Sequence, residues 1–506
     1  MRSCRIKNLK SYITLRSLRA GAYMMFYQQE KIAKNTSYFT LALIVQKLIS
    51  FVYFSYIAVQ IGVANLGQYT FALFFTTILA VIIDIGIASV LVREVSKYRE
   101  NSQKYLSAAL AIKIPLAILT YLLAVILIKL LDNPELVRQL VYLTGIIMVL
   151  DSFTLTFYAF LRGHQNLKYE SIGTIIFQLI VAGTGVVIVN LTRDLRILML
   201  AILAASFFNF IYSLALVKTK LKLKFFCRAD KTIVKTILVI TIPFALAAIF
   251  TRVYGYLDTV LLNQMINETA VGYYSLPYKI VFSLQFIPMA FVASLYPAFA
   301  SYFVNSKELL GKTFAKAMVY LGMIAVPITF GAIALARPLI LKVYTAEYLP
   351  SILPLQILVI SLFFLFLNFP LGSLLNACDR QRRNTIHIGV VMVINIILNV
   401  ILIPRYSYIG AAIASSLSTF IMFLLQLYVA RQITPFSGKF LIGKFLRIVF
   451  SGAMMYGVLI YLLPVVNFLI LVPLGAVIYL GILYILKGFN RDDCLLLWRS
   501  FVKKES

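Results

Sequence analysis

Acidic side chains are scarce in this chain: 18 Asp and Glu stand against 47 Lys and Arg, charged residues make up 13% of 506 positions, and 61% are hydrophobic. Water-soluble domains carry roughly a quarter charged residues, so this composition excludes one and implies a polytopic membrane protein. Histidine is limited to His164 and His387, and the four cysteines, Cys4, Cys227, Cys378 and Cys494, match no zinc or redox spacing. No metal site or cofactor is therefore expected. The absence of a Gly-x-x-x-x-Gly-Lys-Ser/Thr loop argues against nucleotide hydrolysis, leaving an ion gradient or downstream consumption of product as the driving force. The amino end also lacks the apolar segment of a signal peptide, so residues 1–35 read as a basic tail, with Met24 or Met25 as alternative starts.

Long apolar runs are plentiful. About fourteen are near the 20 residues needed to cross a bilayer, among them 69–91, 273–304, 384–403 and 409–430. They lack period-two alternation, and lipid offers no partner to backbone polar groups, so the expected fold is all-α and not a barrel. The basic tail places the amino end in the cytoplasm by the positive-inside rule, and the carboxyl end with it, in the inner or plasma membrane. The expected outer loops then hold only Lys129, Arg138, Arg193, Arg196, Arg337, Lys342 and Arg405, while inner segments hold most other basic residues. The net charge of +29 thus reflects topology and attraction to anionic lipid headgroups, with no nucleic acid implied. All four cysteines fall in expected cytoplasmic segments and should be reduced.

The chain repeats itself weakly. LGQYTFAL from Leu66 sets beside VGYYSLPY from Val271, aligning Gly67 with Gly272 and Tyr69 with Tyr274 at an offset of 205 residues. The turn LRGHQNLKY from Leu161 pairs with LNACDRQRRN from Leu375 at a slightly larger offset. Two six-helix lobes of the same orientation follow, related by an axis along the membrane normal. The expected division is an N-lobe at 36–217, a linker at 218–232, a C-lobe at 233–430, an added helix pair at 431–487 and a cytoplasmic tail at 488–506. Pro277, Pro288 and Pro297 should kink or break the span 273–304.

A few charges lie inside the runs. Lys47 in LALIVQKLISFVYF is about ten residues into its helix, near the midplane at 1.5 Å per residue, and the offset of 205 carries it onto Arg252. Such residues face a bundle interior or a wet cavity, and cations at matched positions suit an anionic ligand such as a phosphate. Lys113 and Lys279 lie nearer helix ends, where snorkelling competes with a substrate role. Asp84, Asp258 and, less centrally, Asp151 are candidates for ion coupling, to proton or sodium, or for internal pairing with the cations.

The ordered set NTSYFTLALIVQKLISF, LGQYTFALFF, DIGIASVLVRE, IPFALAAIFTRVYGYLDTVLL, VGYYSLPYKI, LYPAFA, NIILNVILIP and YSYIGAAIASSLS resembles the polysaccharide transporters, or repeat-unit flippases, of the multidrug/oligosaccharidyl-lipid/polysaccharide exporter superfamily. That resemblance implies two lobes around a central cavity, alternating access, and movement of polyprenyl-(pyro)phosphate-linked oligosaccharides for O-antigen, capsule or exopolysaccharide, alongside polysaccharide-assembly proteins. It also implies that Lys47 and Arg252 meet the lipid phosphate. Asp379 stands where the family often has glycine, which puts that turn in question. The nearest rival is a cation-coupled multidrug antiporter of the same superfamily. A membrane glycosyltransferase or polymerase on the same carrier needs more outer chain than the loop Ala336 to Ser351, whose only acid is Glu347, so the chain is not expected to be an enzyme.

Overall fold

The computed structural model describes residues 39–224 and 229–488. The expected amino-terminal tail and Cys4, Cys227 and Cys494 lie outside the described residues, as does the chain beyond Gly488. Within them every regular element is helical, as the lipid environment demands. The N-lobe comprises α1 (Phe39–Ile61), α2 (Val63–Asp84), α3 (Ile87–Lys97), α4 (Ser102–Leu130), α5 (Glu135–Gly163), α6 (Leu167–Leu191) and α7 (Leu195–Lys220). The C-lobe comprises α8 (Lys231–Met265), α9 (Glu268–Ser283), α10 (Phe286–Asn305), α11 (Lys307–Val343), α12 (Ile352–Ala377) and α13 (Gln381–Ile433). The added pair is α14 (Gly438–Leu462) and α15 (Phe468–Ile485). Thirteen helices among the described residues are long and apolar enough to span a membrane. The longest, α13, is two helices joined at Ser407, whose φ of 51° and ψ of −134° are non-helical.

Several boundaries differ from expectation for local reasons. The run 69–91 is two helices, because Ile85 and Gly86 both take positive φ, 38° and 82°, and the chain turns there. The span 273–304 is indeed broken, between Ser283 and Phe286, flanked by Pro277 and Pro288. The outer loop expected at Ala336 to Ser351 is shorter, since α11 continues to Val343 past Pro338 and a 3-10 turn occupies Ala346–Ser351.

The repeat is visible in backbone detail. Asn166 N donates to Leu161 O and Arg380 N to Leu375 O, each at 2.8 Å. The residues preceding them, Gln165 and Asp379, sit at φ 58° and 59°. Asp379 therefore adopts the left-handed conformation that a glycine would take, and the turn survives the substitution.

We call the end of the bundle holding Gly62 and residues 344–351 the upper end, and the end holding the segment between α7 and α8 the lower end. At the upper end the lobes meet closely: a Cβ on Gly67 would stand 1.8 Å from Glu268 O, and one on Gly272 2.1 Å from Val63 O. Around this crossing of α2 and α9, Glu347 Oε1 accepts from Val63 N at 3.1 Å, Tyr348 donates to Ala58 O at 2.8 Å, and the Tyr344 and Ser55 hydroxyls bond at 2.8 Å. A carboxylate at the start of α2 satisfies an orphan helix N–H and complements the helix dipole.

Lower down, α8 joins the lobes differently. Its first turns pack Ile237, Ile233 and Val234 into a cluster with Leu91, Leu106 and Phe157 of the N-lobe. A Cβ on Gly86 would meet Phe244 Cβ at 2.6 Å. Past Pro243, α8 leans on α13, where Phe250 fills the space beside Gly389. This crossover sets the middle of α8, and with it Arg252, over the gap between the lobes.

Candidate functional site

Below the upper crossing lies a chamber in two adjoining compartments. The first, about 190 Å³, is lined by Ser50, Phe54, Tyr69, Gln178, Ser275 and Lys279. The second, about 380 Å³, is lined by Thr77, Asp84, Asp151, Ala248 and Arg252. Leu73, Phe177 and Ile202 wall both. Residues from both lobes contribute to each compartment.

The cations in and near the chamber, Lys279, Arg252 and Lys47, make no ion pair among the described residues, although Lys47 lines neither compartment. Lys279 Nζ donates to Ser50 Oγ at 3.1 Å and lies 5.2 Å from the centre of the Phe54 ring. Lys47 Nζ sits 4.8 Å from the centre of the Phe282 ring, and Lys47 and Lys279 are close enough for their charges to repel. Arg252 makes no ion pair among the described residues and reaches the second compartment. The offset of 205 that relates Lys47 to Arg252 also relates Thr77, on the wall beside Arg252, to Phe282, beneath Lys47. Aromatic faces stabilise a cation without neutralising it. Lys279 lines the first compartment and Arg252 the second, which it shares with Asp84 and Asp151, so the chamber carries charges of both signs with donors left over on its cations.

Lys113 is placed differently from expectation. Its side chain is 0% exposed, so it neither snorkels nor reaches the chamber. Nζ donates to Asp84 Oδ1 at 2.9 Å, Ser152 O at 2.8 Å and Thr156 Oγ1 at 2.7 Å. An ammonium has three protons, and all are used. Asp84 is thereby an internal partner whose carboxylate keeps 20% exposure at the chamber wall. Asp151 is exposed into the same compartment.

Asp258 lies apart, buried in the C-lobe. It accepts from Tyr274 Oη at 2.9 Å, from Asn399 Nδ2 at 2.8 Å and from the Ser415 hydroxyl, with no cation beside it among the described residues. Asn399 Nδ2 also reaches Asn395 Oδ1 at 3.1 Å. Hydrogen bonds from neutral donors alone stabilise this carboxyl group. Asn395, Asn399, Ser415 and Tyr274 were not singled out from sequence. The available signal was two amides four residues apart in an otherwise apolar run, one above the other on a helix face.

A family profile described as "Polysaccharide biosynthesis protein" matches residues 32–303. The capsular polysaccharide biosynthesis protein CapF of Staphylococcus aureus is 23% identical over 406 residues, which cover 79% of this chain and 100% of that protein. A probable low-salt glycan biosynthesis flippase, Agl15 of Haloferax volcanii, is 20% identical over 372 residues, 73% of this chain and 77% of that protein. Among solved structures, the lipid II flippase MurJ in an inward closed conformation superposes with a TM-score of 0.75 at 18% identity, covering 88% of this chain and 98% of that one. An inward-facing multidrug resistance transporter of the MATE family superposes at 0.63 and 14% identity, covering 77% and 95%. These superpositions establish a shared fold.

Proposed function

Because the chain belongs to the polysaccharide biosynthesis protein family, we propose that it is a flippase. Its cargo is a polyprenyl-(pyro)phosphate-linked oligosaccharide, carried from the cytoplasmic to the outer leaflet of the plasma membrane for surface polysaccharide synthesis. The observation that supports this most is that Lys279 and Arg252 line an inter-lobe chamber, with Lys47 near Lys279, and that none of the three makes an ion pair among the described residues. A phosphate entering there would replace water with charge-assisted donors from Lys279 and Arg252, while the polyprenyl chain stays in the bilayer. The relatives named for capsular polysaccharide and glycan flipping support the same class of cargo.

With the termini in the cytoplasm, the upper end faces outward and its Gly67 and Gly272 crossing closes the outer gate. Alternating access then consists of opening that crossing while the lower ends approach. Asp258, a buried carboxyl whose partners among the described residues are neutral donors, is the group we assign to coupling, through a proton or sodium ion, and Asp84 and Asp151 modulate the chamber charge. A cation-coupled multidrug antiporter draws support from those last two acids, since both line the second compartment.

The deciding experiment is deletion of the gene, followed by measurement of surface polysaccharide and of lipid-linked saccharide retained on the cytoplasmic leaflet. Loss of the first with accumulation of the second, reversed by the intact gene, is expected. Unchanged polysaccharide with heightened drug sensitivity would establish the antiporter instead.

A further inference from the structure

A third cavity, about 730 Å³, opens inside the C-lobe between α8, α10, α12 and α13, and nothing above uses it. It arises because α8 packs on α13 while α10 packs on α12, leaving a cleft between the two pairs; Gly372 adds room on the α12 side. Its walls carry the hydroxyls of Thr251, Tyr254, Tyr296 and Ser373 and the amides of Asn368 and Asn376, and no charged residue lines it. Volumes of this size are typical of sites that enclose a small organic ligand.

Two of its polar groups have unmet capacity. Asn368 donates through Nδ2 to Thr419 O at 3.2 Å, yet its Oδ1 has no partner, and neither does the hydroxyl of Ser373, a residue only 8% exposed. Buried polar groups left unpartnered are costly. Both atoms are closed off, so a ligand completes them only after a turn of the side chain, whereas Thr251 and Tyr296 are exposed and offer their hydroxyls to the cleft directly. An acyl chain would offer no hydrogen bond, and a phosphate would find no cation. A sugar fits both facts: its hydroxyls donate and accept, which an amide matches from one side chain, and its C–H faces can lie on Tyr254, Tyr296 or Phe369.

The location agrees with this chemistry. Thr251 of the cavity and Arg252 of the chamber are consecutive on α8, so a group attached to a phosphate at Arg252 starts beside the C-lobe cleft. We propose that this cleft is the saccharide subsite, receiving uncharged sugar units while the chamber cations hold the phosphate. The proposal rests on the flippase reading.

The test uses the lipid-linked saccharide that accumulates when the gene is deleted, and the same polyprenyl carrier stripped of its sugar but retaining its phosphate. Both are titrated against the purified full chain in nanodiscs. The intact protein should bind both, the glycosylated lipid more tightly. Asn368→Leu and Tyr296→Ala should each weaken the glycosylated lipid about tenfold and leave the stripped lipid within about twofold, whereas Arg252→Ala should weaken both. Tyr296 is exposed, so its variant should fold even if Asn368→Leu does not. Equal loss for both lipids in the cleft variants would make the cleft a polyprenyl site and overturn the proposal, as would no gain from the sugar in the intact protein. Failure of the intact protein to bind either lipid would instead overturn the flippase reading itself.

Discussion

Gly67 and Gly272 occupy matched positions in the two halves, and each lies against the other half's backbone: the added Cβ of either would overlap a carbonyl oxygen from the first turn of the opposing helix, Glu268 or Val63. The contact is self-complementary, as a two-fold relation requires, and it tolerates no side chain on either partner. Gly67→Val should destabilise the upper-closed state by about 1–3 kcal/mol. Gly255, whose Cβ would meet nothing within 4 Å, is the control. Alkylation of Ser275→Cys from the outer face, with native cysteines removed, should accelerate in the Gly67→Val background and stay slow with Gly255→Ala. Equal labelling in both would show that the crossing does not gate the chamber.

The pair Asp84 and Lys113 should respond asymmetrically to mutation. Asp84→Asn strands a fully buried ammonium and should cost about 3–5 kcal/mol. Lys113→Met strands a carboxylate that already reaches the chamber and should cost clearly less. Thermal unfolding in detergent, read by tryptophan-independent aggregation, orders the two variants; the reverse order would contradict the geometry.

Lys47→Ala and Arg252→Ala should each abolish translocation while the protein still reaches the membrane. Lys47→Arg should retain part of it, because a guanidinium also rests well on the Phe282 ring. Complementation of the deletion strain, scored as surface polysaccharide against membrane-inserted protein, measures this. Normal flipping by the double alanine variant would remove these two cations from the mechanism.

Cys378 offers a pH signature. It is free and buried, and burial, with a smaller push from Asp379, raises its thiol to about 11. A raised pKa means that the neutral thiol is favoured in the fold; stability from it is intact below pH about 8.5 and declines as pH climbs toward about 11. In a chain with Cys4, Cys227 and Cys494 changed to serine, alkylation should stay slow through pH 9 and become rapid on denaturation. Rapid alkylation of the native chain at pH 8 would contradict the burial.

Composition and apolar run length were enough to read the all-helical membrane fold, since solvent quality alone decides it, and Gly67 with Gly272 betrayed the repeat because matched lobes need matched close contacts. The embedded charges were also legible one at a time. Their partners were not: Lys113 finds Asp84 across 29 residues and Lys279 finds Ser50 across 229, and no local spacing encodes which helices adjoin. Asp258 shows the limit of symmetry, since at the offset of 205 its counterpart is Tyr53, so the buried carboxylate belongs to one lobe only.

What the sequence determined unaided is the solvent this protein inhabits and the periodic, doubled arrangement of its helices, because hydropathy and duplication are written along the chain. Only tertiary structure decided which cations lack an acidic partner among the described residues and which is paired with a neighbouring acid. That outcome depends on where α8 crosses from one lobe to the other, and such a crossing is set by packing between residues far apart in the chain.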